Sequence, residues 1–146
     1  MNGRNRPIAR RPVSSGPGGK RRYGWCIITD TMMIDGYGRK INYLRLSVTD
    51  RCNLRCRYCM PADGVPLLPH GDILKYEELF LVASTAVSLG IEKIRVTGGE
   101  PLVRRGILGF LSRLSGIPGL RQLVLTTNGL LLAQMAEGLR NAGVQR

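Results

Sequence analysis

The chain is poor in aromatic residues, which make up only 5% of its 146 positions, while its 43% hydrophobic content is ordinary for a globular protein. It has one histidine, His70, set between Pro69 and Gly71, which reads as a solvated loop residue and not as a ligand. No apolar run approaches the ~20 residues of a membrane-spanning helix, so a membrane partner is not expected. A secretory signal pattern is also missing. With four cysteines in the chain, this disfavours a disulfide framework and points to metal-binding thiols in a reducing, cytoplasmic compartment. Acidic residues are absent from positions 1–29, which hold seven basic residues and so supply +7 of the formal charge of +12. The remaining residues carry 15 basic and 10 acidic groups, a net of only +5. That balance suits an anionic small substrate and does not demand nucleic acid. The length allows one modest domain with a sizeable core.

Residues 1–22 are rich in Arg, Pro, Gly and Ser and have almost no apolar side chains to offset the entropy of ordering. The first 32 residues are therefore expected to be a disordered basic extension. A nucleic-acid-binding arm, an organelle presequence and an early start codon each account for such a segment. Pro7, Pro12 and Pro17 would break the amphipathic helix of a presequence, which leaves an upstream start or a dispensable extension as the preferred reading. Cys26, in the same region, reads as a bystander thiol.

From residue 43 onward, short apolar strands alternate with helical patterns. Leu44, Leu46 and Val48 alternate with Tyr43, Arg45 and Ser47, the period of a strand. A helix is expected over 75–89, with Leu79, Val82, Ala83, Ala86 and Leu89 inward, then a strand over 93–97. A second helix is expected over 105–115 with Ile107, Phe110, Leu111 and Leu114 inward, then a strand over 122–126. A third helix is expected over 130–142 with Leu131, Leu132, Met135 and Leu139 inward. Residues 144–146 resemble the first step of a fourth strand. This β-α-β-α-β-α order predicts an α/β fold, parallel strands with helices outside. Three unusual turns would then share the C-terminal rim of the sheet, where α/β proteins place their chemistry. They are the cysteine loop after residue 48, Gly98-Gly99-Glu100-Pro101, and Thr126-Thr127-Asn128-Gly129.

The cysteine loop, Cys52-Asn53-Leu54-Arg55-Cys56-Arg57-Tyr58-Cys59, places thiols at i, i+4 and i+7. Three thiolates can hold three corners of a four-iron, four-sulfur cube and leave one iron open for a small molecule, whereas structural iron–sulfur sites normally use four cysteines. A zinc ion with one further ligand is the alternative that the cysteines alone leave open.

The C-x-x-x-C-x-x-C spacing resembles that of the radical S-adenosylmethionine (SAM) enzymes. The stretch Leu44–Asn53 and the stretch Ile94–Arg105 narrow the resemblance to the GTP 3',8-cyclase family of molybdenum cofactor biosynthesis. The fold this implies is the N-terminal portion of a partial (β/α) barrel. The resemblance implies a [4Fe-4S] cluster on Cys52, Cys56 and Cys59, with SAM chelated to the open iron and cleaved by one electron. It places Tyr58 and Gly99 at the SAM site, with Glu100 in support. Core packing is the competing role for Tyr58. Arg51, Arg55 and Arg57 would temper the cluster's negative charge, or form a solvated basic face. The resemblance further places Arg45, Arg95 and Thr126 at the substrate GTP. Arginines inside parallel strands are costly unless they meet an anion or reach the surface. An electron donor for the cluster, and a homodimer of the full-length protein, are also implied.

The resemblance spans about residues 34–146. The family continues into further strands and a C-terminal region whose three cysteines hold a second cluster. The chain is therefore expected to be an N-terminal fragment or truncated product. Residues 33–146 would form a truncated core of about three βα units, with an incomplete substrate site. Two other functions fit the residues less well. One is a radical SAM enzyme acting on a peptide or another nucleotide. The other is a metal-stapled basic module whose RNA binding would depend on residues 1–22 and weaken steeply with salt.

Overall fold

Side chains of a strand alternate between its two faces, so the first strand should offer Leu44 and Leu46 to one layer and Tyr43, Arg45 and Ser47 to the other. In the computed structural model, which describes residues 33–61 and 63–146, this strand is β1 (Tyr43–Ser47). It pairs in parallel with β2 (Lys93–Thr97), which pairs in parallel with β3 (Gln122–Leu125). The sheet order is β1-β2-β3. Helices α1 (Tyr76–Ser88) and α2 (Ile107–Ser115) connect the strands, and α3 (Leu132–Asn141) follows β3. The parallel α/β arrangement is as expected. The basic extension and Cys26 lie outside the described residues. No helix among the described residues is long and apolar enough to cross a membrane.

The core is aliphatic apart from Phe110 and lies mainly on one side of the sheet. Leu46, Val48, Ile94, Val96 and Leu123 meet Leu79, Ala83 and Val87 of α1, and Ile107, Phe110, Leu111 and Leu114 of α2. Each fully buried aliphatic side chain contributes roughly 1.5–3 kcal/mol. The expected inner face of α2 is fully buried. That of α1 is narrower than its pattern suggested, because Val82 and Leu89 are exposed while Val87 is buried. The cause is position: α1 packs beside an edge strand, so only the stripe 79, 83, 87 is covered. In α3, Leu139 is buried but Leu132 is exposed.

Two helices start later than their periodicity indicates. A 3-10 turn over Pro101–Val103 precedes α2. Before α3, Thr127 Oγ1 accepts from Gly129 N (3.1 Å) and Asn128 Oδ1 accepts from Leu130 N (3.0 Å). Such short side-chain turns compete with helical bonding and delay the helix to Leu132. At the chain's end, Gln145 N donates to Leu123 O (3.0 Å) and Leu125 N donates to Arg146 O (2.9 Å). These residues lie along the outer edge of β3, as a fourth strand would, without forming a regular ladder.

Arg104 fastens the end of β1 to the loop before α1. Its guanidinium donates to Val48 O and, at 2.7 Å, to Leu74 O, and lies 4.2 Å from the ring centroid of Tyr76. The Tyr76 ring stacks on Phe110 at 4.6 Å. Burial raises the Tyr76 pKa above its ordinary value near 10, and the Arg104 charge only partly opposes this. The folded state therefore holds this proton more tightly than the unfolded chain does. Its contribution is complete below about pH 10 and is lost as pH rises through the folded value. Urea titrations from about pH 9 to 11 should show stability falling with alkalinity, and Tyr76→Phe should flatten that slope.

Candidate functional site

The C-terminal ends of the three strands deliver the cysteine loop, the Gly98–Pro101 turn and the Thr126–Gly129 turn to one rim. Main-chain bonds seat the second turn against the first loop: Gly99 N donates to Thr49 O and Glu100 N to Arg51 O, each at 2.8 Å. This contact leaves no room for side chains. A Cβ on Gly98 would lie 2.4 Å from Thr49 O, and one on Gly99 would lie 2.3 Å from Arg51 O. Gly98 also has φ +147°, a conformation that L residues rarely adopt. The glycine pair is thus required by a backbone approach within the chain. Gly99 is nevertheless exposed and lines the cavity beside the cysteines.

Glu100 does not face that cavity. It is fully buried, at 0% exposure, and its carboxylate ties the second turn to the third. Oε1 accepts from Leu102 N (3.0 Å) and Thr127 Oγ1 (2.8 Å), and Oε2 accepts from Asn128 N (2.7 Å). Asn128 then reaches the cysteine loop, with Nδ2 donating to Asn53 Oδ1 at 2.7 Å and lying 3.9 Å from Cys52 Sγ. Three segments far apart in sequence are laced into one surface. The sequence reading did not assign Asn128 or Thr127. Their signal was their place directly after the third strand.

A cavity of about 230 Å³ opens on this surface, lined by Cys52, Cys56, Tyr58, Cys59, Gly98, Gly99 and Thr126–Asn128 among others. Its lining carries no charged group other than what the thiols and the phenol can acquire. The three cysteines are free, Cys52 and Cys56 half-buried and Cys59 exposed. Leu54 N donates to Cys52 Sγ at 3.5 Å, so this sulfur has two N–H neighbours. Tyr58 is 94% exposed, which rules out core packing as its role. Arg55 folds back on the loop, donating to Cys52 O and Leu54 O at 3.0 Å each. His70 is exposed and stands apart from this cavity. Among the described residues, no three or more Cys, His, Asp or Glu side chains are grouped to hold one metal ion.

Arg45 and Arg95 are register partners on β1 and β2, on the sheet face opposite the core. Neither is engulfed by the fold: Arg45 is exposed and Arg95 half-buried. Arg95 Nε donates to Tyr43 Oη (2.7 Å), and its Nη1 donates to Thr126 Oγ1 (3.1 Å). Thr126 lies one residue past β3 and also lines the cysteine cavity. The three positions expected to contact substrate are thus neighbours, and Thr126 joins them to the thiols. Like charges directly opposite each other on a sheet repel, so this face favours an anion.

Known proteins resemble this chain. GTP 3',8-cyclase of Geobacter sulfurreducens is 73% identical over 114 residues, covering 78% of this chain and 35% of that protein. The same enzyme of Peptoclostridium acidaminophilum is 60% identical over 116 residues, covering 80% and 36%. The chain therefore spans about a third of the length of these curated relatives. Among solved structures, BtrN in an open conformation superposes with a TM-score of 0.53 at 24% identity, over 72% of this chain and 47% of that one. At that identity the likeness speaks for the fold, which fits the N-terminal portion of a partial (β/α) barrel. The model of the radical SAM superfamily matches residues 46–146, and the chain belongs to that superfamily.

Proposed function

We propose that this chain carries the cluster- and SAM-binding part of a GTP 3',8-cyclase. Cys52, Cys56 and Cys59 hold a [4Fe-4S] cluster, Tyr58 and Gly99 receive SAM beside it, and Arg45, Arg95 and Thr126 contact the GTP phosphates or ribose. The observation that carries this reading is the shared cavity: three free thiols, an exposed tyrosine and the glycine pair, joined through Thr126 to Arg95, the register partner of Arg45. The donor set fits the cube better than it fits zinc. A cube takes each thiolate on a different iron, and three thiolates leave its fourth iron open for a small molecule. When bound, the cluster and SAM supply the one-electron chemistry that starts hydrogen abstraction.

The chain's own residues bind and orient. N–H groups of Leu54 and Asn128 face Cys52 Sγ and hold the loop that carries it against the third turn. The backbone of Gly99 is accessible for a polar contact with SAM. Thr126, shared by both parts of the site, sets the nucleotide close to the cysteine loop. The identity of the relatives supports GTP over a peptide or another nucleotide.

Anaerobic reconstitution with iron and sulfide tests the proposal. The expected product holds about four irons per chain, and SAM perturbs the paramagnetic spectrum of its reduced form. Serine at Cys52, Cys56 or Cys59 should each reduce iron content to near background. One tightly bound zinc and no iron, or iron retained in all three variants, would defeat the reading.

A further inference from the structure

We infer that Tyr43 is a positioning residue for the nucleotide site, holding Arg95 in the orientation that receives phosphate; this rests on the function proposed above. An arginine on an open sheet face has many rotamers, and freezing them on binding costs side-chain entropy. Arg95 is already restrained on two edges, by Tyr43 Oη at 2.7 Å from Nε and by Thr126 Oγ1 at 3.1 Å from Nη1. Thr126 belongs to the expected substrate site, but no role has been given to Tyr43. Its ring is fixed in turn by Lys93, whose Nζ lies 5.4 Å from the ring centroid and whose backbone is its register partner.

The hydroxyl is used in a specific way. Arg95 has no acceptor, so Tyr43 Oη must accept, and its own proton remains free to donate. A phosphate oxygen arriving between Arg45 and Arg95 then meets a guanidinium whose orientation Tyr43 has already set, so the phenol acts through Arg95 alone. Tyr43 is also 40% exposed, so its removal opens no cavity in the core. Loss of the hydroxyl should therefore affect binding and leave folding intact.

The experiment compares GTP and guanosine binding by calorimetry to the reconstituted chain, to Tyr43→Phe, to Arg95→Ala and to the double variant. Tyr43→Phe is expected to weaken GTP about five- to tenfold, the worth of one hydrogen bond, with guanosine binding and thermal midpoint unchanged. The same substitution should have no further effect on Arg95→Ala, because the two act through one contact. Nitrogen-15 NMR gives a second readout without ligand: the Arg95 Nε–H should be protected from exchange, and Tyr43→Phe should abolish that protection. If Arg95→Ala weakens GTP and Tyr43→Phe does not, the role of Tyr43 is refuted while the site stands. If Arg95→Ala leaves GTP binding unchanged, the nucleotide site fails and the role of Tyr43 falls with it.

Discussion

Replacing Gly99 with alanine is expected to destabilise the chain by about 3 kcal/mol or more and to abolish iron incorporation. The added methyl would lie 2.3 Å from Arg51 O and 2.6 Å from Arg51 C. Both are main-chain atoms, one residue before Cys52, and they cannot rotate away as a side chain would. Relief requires the cysteine loop to lift from the second turn, breaking the bonds from Gly99 N to Thr49 O and from Glu100 N to Arg51 O. A urea titration reads the stability loss, and iron analysis after reconstitution reads the loop. Gly109, on the exposed face of α2, has nothing within 4 Å of an added Cβ, and alanine there should be neutral or slightly stabilising. Equal behaviour of the two variants would contradict the proposed packing.

Glu100→Ala should cost a similar amount, about 3–5 kcal/mol, for a different reason. It leaves Leu102 N, Thr127 Oγ1 and Asn128 N without their common acceptor. Hydrogen bonds to a charged group are worth about 1.5–3 kcal/mol each, and buried donors left unpaired add a desolvation cost. Glutamine should recover part of the loss, because its single carbonyl can still accept while its amide cannot. Faster amide exchange at Asn128 would identify the broken link. An alanine variant as stable as the parent, with Asn128 still protected, would show that the carboxylate ties nothing together.

The strands, the helices and the rim were legible because they rest on local patterns. Period-two alternation marked β1, and the apolar stripe of α2 was complete. The three turns announced themselves through Cys, Gly-Gly and Asn-Gly spacing. The sequence was less informative wherever a residue's duty depends on a distant neighbour. Gly99 looked like an opening for a ligand, yet its more immediate partner is the backbone of Arg51, 48 positions earlier. Glu100 looked like an accessory to the SAM site, yet it is consumed by Thr127 and Asn128. Tyr43 gave no signal because its contact with Arg95 requires the register of two strands separated by α1. The narrow inner stripe of α1 was also hidden, since a helical pattern does not say which strand lies beneath it. The exposure of Tyr58 removes core packing, a role that residue type alone left open.

The order of the strands has a mechanical consequence. β2 is laddered to a neighbour on each flank, whereas β1 has an outer edge. Opening β2 means parting both ladders, so its amides should be among the last to exchange with solvent. Arg95 sits at the midpoint of that strand. The guanidinium is thereby mounted on a strand held along both flanks, and Tyr43 on one held along a single flank. Gentle warming should loosen the phenol's grip well before the arginine itself is displaced.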